Sequence, residues 1–166
     1  ELDPKTGAAA AEAVTAQGGK ALFVETDVTD EDSVKAAVAK AVAHFGALHI
    51  LYNNAGGSTF RDGPLTTAPT EEFWRAIKLD LLGTWLCSRH AIPEIAKAGG
   101  GSVINASSVV ALIGWPGKDA YTASKGAISA LTRSMATEFA SQKVRVNAVA
   151  PCITKTPRVL EQLAKQ

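Results

Sequence analysis

Three side chains in the middle of the chain could share one proton transfer between them, and these are Ser108, Tyr121 and Lys125. Tyr121 and Lys125 are four positions apart, the spacing that puts two side chains on one face of a helix. A lysine ammonium beside a phenol favours the phenolate. It draws the tyrosine down from its ordinary value of about 10 towards working pH, where it can act as a general acid or base. Ser108 ends a glycine-flanked, strand-like run from Gly101 that can aim its hydroxyl at the same point. Together the three suit the movement of a proton on and off an alcohol or carbonyl oxygen. A tyrosine four residues before a lysine also describes an ordinary solvated helix face. The small neighbours Ala120, Thr122, Ala123, Ser124, Gly126 and Ala127 set this pair apart, because they let a ligand or a second helix come close. Upstream, Asn53-Asn54-Ala55-Gly56 directly follows an apolar run. In an open α/β sheet, ligands bind just beyond such strand ends.

The elements needed to position these groups can be read from periodicity and caps. Lys5 to Gln17 is alanine-rich and stops at Gly18-Gly19, which predicts a helix. Ala21 to Glu25 reads as a short apolar strand. Asp30 caps a helix carrying Val34, Val38 and Val42 at helical spacing. Leu48 to Tyr52 predicts a buried strand, and Asn53 to Pro69 a long polar loop. Thr70 is placed to cap a helix with Phe73, Ile77 and Leu81 on one stripe, and Gly99-Gly100-Gly101 ends that helical run. Val103 to Ala106 predicts a third strand, about Ala120 to Ala140 a helix, and Val144 to Val149 a last strand. Strands alternating with helices imply a parallel α/β sheet covered on both sides. The 166 residues read as one domain, with no internal repeat or linker.

Composition narrows the partners. The net charge of +1 gives no electrostatic footprint for nucleic acid or an anionic membrane surface, and no apolar run is long enough to span a bilayer. Cys87 and Cys152 are too few and too far apart for a disulfide scaffold, which points to a reducing, cytoplasmic setting. His44, His49 and His90 share no metal-ligand spacing, so no metal site is expected. Trp74, Trp85 and Trp115 read as packing residues, with Trp115 able to line a substrate mouth.

These motifs resemble the short-chain dehydrogenase/reductase family, nearly end to end. Ser108, thirteen residues before Tyr121, matches the spacing of the family's catalytic serine, and Tyr121 and Lys125 match its tyrosine and lysine. Asp27-Val28 is similar to its adenine-contacting pair. Asn53-Asn54-Ala55-Gly56 resembles the loop that steadies the sheet and lines the cofactor site. Pro151, Thr154 and Thr156 resemble the segment lying against the nicotinamide. The resemblance implies a Rossmann-type, doubly wound α/β sheet. It also implies an NAD(P)-dependent oxidoreductase interconverting a small secondary alcohol and a ketone. Tyr121 would exchange the proton, Ser108 would hydrogen-bond the substrate oxygen, and Lys125 would tune the phenol and bind the nicotinamide ribose. Cofactor contacts fall to Glu1, Asp27, Val28, Asn54, Ala55, Gly56, Tyr121, Lys125, Pro151, Thr154 and Thr156. Members of the family commonly associate through the helices that Thr70 to Ala98 and Ala120 to Ala140 would form, which implies a homo-dimer or homo-tetramer.

The chain departs from the family pattern in three places. No Gly-x-x-x-Gly-x-Gly precedes the first helix, so the resemblance implies a chain without the first strand, glycine-rich turn and helix, and without the last elements. The rival reading is a non-catalytic fragment that keeps only the sheet and an association surface. Asp80, in Leu79-Asp80-Leu81-Leu82-Gly83, stands where the family usually has asparagine. It is a fourth catalytic candidate, weighed against a plain polar residue at a helix bend; an ionised aspartate only accepts hydrogen bonds. Cys152 replaces the usual glycine after the proline and reads as inert. The acidic Glu1, where the second strand would end, would accept from the adenosine ribose and repel a 2′-phosphate. It favours NAD over NADP.

Overall fold

The computed structural model describes residues 1–156 together with 159 and 160. Helix α1 (Pro4–Ala16) starts where the Asp3 side chain accepts from the Lys5 backbone N–H at 2.9 Å, with proline in the first turn. Helix α2 (Glu31–Phe45) is capped by Asp30 and stopped by Gly46 in the left-handed region, φ 85°. Strand β1 (Ile50–Asn53) leads into a long loop and helix α3 (Thr70–Ala76). A π-helical segment, Ile77–Leu82, joins α3 to helix α4 (Gly83–Lys97). Strand β2 (Gly101–Ala106), a single 3-10 turn at Val109–Ala111, helix α5 (Asp119–Glu138) and strand β3 (Val144–Val149) follow in that order.

The three strands are parallel in the order β1-β2-β3, with Leu51 opposite Val103 and Val103 opposite Val146. Alternation along these strands sends Val103, Val144 and Val146 to one face. There they pack with Ala91, Ile92 and Ile95 of α4 and Met135 of α5. Each such isoleucine or valine contributes about 1.5–3 kcal/mol by leaving water. The opposite face of β1 carries Ile50 and Tyr52, which are 61% and 54% exposed. At the carboxyl ends of the strands, a buried polar network ties sheet to helices. Asn53 Nδ2 donates to Asn105 Oδ1 at 2.8 Å and to Ser88 Oγ at 3.0 Å, and Asn105 Nδ2 donates to Thr132 Oγ1 at 2.9 Å. Both buried amide groups thus have partners, which is the condition for a polar core to hold together.

Three sequence expectations are corrected. Ala21 to Glu25 is not a strand; the neighbouring Thr26 N–H reaches the Glu1 carbonyl at 3.2 Å, but no ladder forms beside it among the described residues. A strand is defined by its pairing, so an apolar run alone does not make one. The strand predicted at Leu48 lies at Ile50–Asn53, and β2 begins at Gly101 rather than Val103. Gly101 passes so close to β1 that a Cβ there would lie 2.0 Å from the His49 carbonyl oxygen. Glycine lets the ladder start early, and a rule that reads glycines as breaks misses it. The third correction concerns the helix after Thr70. Thr70 is its first residue, and Pro69 occupies the cap position. Phe73 is 38% exposed, whereas Glu72, Ala76, Asp80 and Thr84 form the buried line. The inward face is polar because its groups have partners inside the protein.

Candidate active site

The loop after β1 is held from below by α3. Glu72, 1% exposed, accepts from the Thr59 hydroxyl at 2.8 Å and pairs with Arg75 at 2.9 Å, and Arg75 in turn donates to the Gly57 carbonyl at 2.9 Å. Burial works to raise the Glu72 carboxyl, but Arg75 and Thr59 outweigh it and hold it below the ordinary range. This brace fixes Gly56, whose φ of 147° only glycine adopts readily and where a Cβ would meet Asp80 Oδ1 at 2.3 Å.

Asp80 sits in the π-helical segment, fully buried. Such bulges recur where a side chain must be turned into a site. Here Asp80 Oδ1 accepts from the Gly57 backbone N–H at 3.0 Å and from Lys125 Nζ at 2.8 Å. Lys125 Nζ also donates to the Ala106 carbonyl at the end of β2, at 2.8 Å. Its ammonium therefore stands fixed between two elements and lies 5.4 Å from the centre of the Tyr121 ring. Burial pushes the Asp80 carboxyl above its ordinary range; Lys125 and the Gly57 N–H pull it down but do not fully compensate. Asp80 Oδ2 has no hydrogen-bond partner among the described residues.

Helix α5 is aimed by a residue that sequence reasoning missed. Asp62, 8% exposed, accepts from the Ala120 and Tyr121 backbone N–H groups at 3.1 Å each. It caps the helix from 58 positions away, because the residue at the local cap position, Lys118, makes no side-chain cap bond. No local pattern announces such a cap. Ser107 was missed as well. Its hydroxyl meets Ser129 Oγ at 2.6 Å and donates to the Lys125 carbonyl at 3.2 Å, locking β2 to α5. Ser108 then turns out of the strand in extended conformation, 8% exposed, and accepts from the Val110 N–H at 3.4 Å.

Ser108, Tyr121 and Lys125 line one cavity of about 430 Å³. Asn54, Gly56, Pro151, Thr154 and Thr156 line it as well, as do Trp115 and Cys152. Ala55 is not among its lining residues. Asp80 is not either: it stands behind Lys125. Glu1, Asp27 and Val28 lie elsewhere. The Glu1 carboxylate accepts from the Asp3 N–H at 2.9 Å. Asp27 Oδ1 accepts from both the N–H and the hydroxyl of Thr29 at 2.8 Å, which holds it below the ordinary carboxylate range. Val28 stands over Gly83, where a Cβ would come within 2.8 Å of it.

The chain and its fold have counterparts among known proteins. Residues 2–165 match a family model described as enoyl-(acyl carrier protein) reductase. The chain is 42% identical over 149 residues to cis-4-hydroxycyclohexanecarboxylate dehydrogenase of Sinomonas cyclohexanicum, covering 90% of this chain and 59% of that protein. It is 40% identical over 143 residues to 2-(R)-hydroxypropyl-CoM dehydrogenase of Xanthobacter autotrophicus, covering 86% and 57%. Among solved structures, NAD+-bound xylitol dehydrogenase superposes with a TM-score of 0.91 at 28% identity, covering 98% of this chain and 62% of the other. ElxO with NADP bound gives 0.90 at 33%, covering 99% and 66%. A short-chain type dehydrogenase/reductase from Mycobacterium ulcerans gives 0.90 at 34%, covering 96% and 58%. The chain thus spans somewhat under two thirds of the length of these proteins, and its α/β fold is of the Rossmann type. It belongs to the short-chain dehydrogenase/reductase family.

Proposed function

We propose that this chain carries the catalytic centre of an NAD(P)-dependent oxidoreductase that interconverts a small secondary alcohol and a ketone. The observation that carries the reading is the fixed ammonium of Lys125, 5.4 Å from the Tyr121 ring centre, in a cavity that Ser108 also lines. A bound nicotinamide dinucleotide supplies the hydride acceptor or donor. The residues lining the cavity suit its nicotinamide end: Lys125 and Tyr121 would hold the ribose, and Asn54, Gly56, Pro151, Thr154 and Thr156 would form the wall. In the oxidising direction, the alcohol O–H proton passes to the Tyr121 oxygen as the C–H hydride leaves and the C=O bond forms. In the reducing direction, the Tyr121 hydroxyl returns that proton to the oxygen as the carbonyl carbon accepts hydride. Ser108 donates a hydrogen bond to the oxygen where charge develops. Trp115, 40% exposed at the rim, contributes an apolar wall for the substrate.

Glu1 and the absence of an arginine near it in sequence favour NAD over NADP in this reading; both cofactors occur among the similar structures. The test is a panel of secondary alcohols and ketones assayed with both dinucleotides by nicotinamide absorbance, on the whole enzyme that contains this chain. Turnover with at least one pair, faster with NAD and losing that preference in Glu1→Ala, is the expected result. Absence of dinucleotide binding would favour the non-catalytic rival instead.

A further inference from the structure

Lys118 immediately precedes α5, three positions before Tyr121, and lines the same cavity as Tyr121 and Lys125. Along the chain, Tyr121 therefore stands between two lysines. Lys125 is one turn further into the helix, and Lys118 is one turn back, towards the loop that carries Trp115. The surroundings of the two ammonium groups differ. Lys125 has the Asp80 carboxylate at 2.8 Å. Lys118 is half-buried, and its Nζ donates to the Thr59 carbonyl, a neutral acceptor, at 3.2 Å. Among the described residues no carboxylate pairs with it. The neighbouring acids are committed to backbone donors. Asp119 accepts from the Leu65 N–H at 2.8 Å. Asp62 accepts from the Gly63 N–H at 3.0 Å and from the Ala120 and Tyr121 N–H groups at 3.1 Å each. Neither acid lines the cavity, and no other Asp or Glu does so among the described residues. An ammonium held partly out of water beside neutral groups gains from an anion that brings charge-assisted hydrogen bonds, and Thr59 takes one of its three hydrogens. Val110, Trp115 and Ile153 give the same cavity an apolar wall.

We propose that Lys118 is a specificity-determining residue that receives a carboxylate of the substrate, so that the site takes the anion of a hydroxy or keto acid in preference to an uncharged alcohol or ketone. The proposal rests on the oxidoreductase reading and names a substrate class for it. Three residues of helical rise separate Lys118 from Tyr121, about 4.5 Å along the axis. A carboxylate at Lys118 and a reacting oxygen at Tyr121 therefore belong to a molecule with several bonds between the two groups, a γ-keto acid or a longer one. Its hydrocarbon part lies against the apolar wall. An α-keto acid, whose carboxylate adjoins the carbonyl, is poorly matched to an ammonium held at the Thr59 carbonyl.

The test measures kcat/KM for levulinate, a γ-keto acid, and for levulinamide, its uncharged counterpart, in the whole enzyme that contains this chain. The ratio of the two is the readout, because a general disturbance of the loop at Thr59 lowers both alike and cancels. Wild type is expected to prefer levulinate by about tenfold or more, and to prefer it to pyruvate, an α-keto acid. Lys118→Gln keeps a donor for the Thr59 carbonyl but carries no charge, and is expected to bring the ratio close to one. Lys118→Arg is expected to retain the preference. A wild type with no preference for levulinate over its amide, or a Lys118→Gln that keeps the wild-type ratio, would overturn the proposal. Should Lys118→Gln fail to fold, the salt dependence of the wild-type ratio decides. A preference that shrinks with added salt supports the assignment, and one indifferent to salt refutes it. An enzyme that binds no dinucleotide and turns over no alcohol or ketone of any kind sinks the oxidoreductase reading and this proposal together. Turnover of uncharged ketones without turnover of levulinate sinks only the role of Lys118.

Discussion

Among single residues, neighbouring groups in the cavity carry distinct losses. Lys125 is asked both to hold the nicotinamide ribose and to shape the field at the phenol. Lys125→Ala is therefore expected to raise the dinucleotide Kd and to lower kcat, the latter by roughly 100-fold or more. Ser108 is asked only to support the reacting oxygen. Ser108→Ala should lower kcat by roughly 100-fold with an unchanged dinucleotide Kd. Parallel equilibrium binding and steady-state kinetics separate the two; equal effects on binding from both variants would contradict the division of labour. The three residues proposed to do chemistry, which the structure brings to one cavity, could be picked out of the sequence because their spacing is local: four positions on one helix, and a serine at the end of one strand. What the ammonium touches was not legible. The Asp80 contact spans 45 positions and depends on a π-helical turn, and nothing in Ile77–Leu82 as a string separates a π turn from an α turn.

Among the elements, the start of α5 matters most to the site. The carboxylate of Asp62 receives the first N–H groups of the helix that carries Tyr121 and Lys125, so it fixes the angle at which both side chains enter the cavity. Removing a buried acceptor leaves those donors unpaired, at a cost of about 1–3 kcal/mol. Asp62→Ala is expected to lower the Tm by about 2–10 °C and to lower kcat, with Asp62→Asn intermediate because it keeps one acceptor oxygen. Thermal melting and kinetics on the same preparations check this; an unchanged Tm would show that water replaces the cap. A second prediction concerns Gly56. Gly56→Ala forces a residue into φ 147° and against Asp80, so it is expected to displace the carboxylate and to cost activity beyond its loss of stability. Helices α1, α2 and α5 and strand β3 could be read from sequence within a residue or two, because caps and periodicity are local signals. The buried line Glu72, Ala76, Asp80 and Thr84 could not. Polarity in a sequence suggests solvent, and only the partners Arg75, Thr59 and Lys125 explain why these groups lie inside.

For the molecule as a whole, two surfaces point outward. Between α4 and α5 lies an apolar hollow lined by Trp85, Ile92, Pro93, Leu131, Met135 and Phe139, with Trp85 51% exposed. A second copy of the chain is the occupant expected from these helices, and Trp85→Glu should convert a dimer or tetramer to monomer in sedimentation velocity. A monomeric wild type at micromolar concentration would contradict that assembly. The other surface is the face of β1 that bears Ile50 and Tyr52. Exposed apolar groups on an outer strand promote association between chains, so a polypeptide of only these 166 residues is expected to bind a hydrophobic dye and to melt with little cooperativity. The parallel α/β class was legible because helix and strand patterns alternate along the chain. The failure of Ala21 to Glu25 to become a strand was not, since pairing is a property of two segments and periodicity reads only one. Everything proposed for the cavity turns on Tyr121 as the group that moves the proton, and Tyr121→Phe probes that role without an intermediary. Turnover of the best alcohol or ketone and dinucleotide Kd should be measured on one folded preparation of the whole enzyme. The expected result is a kcat/KM lower by roughly 100- to 10,000-fold and a Kd within about threefold of wild type, since the ring and its contact with Lys125 remain. A variant that keeps most of the wild-type rate would remove Tyr121 from the mechanism.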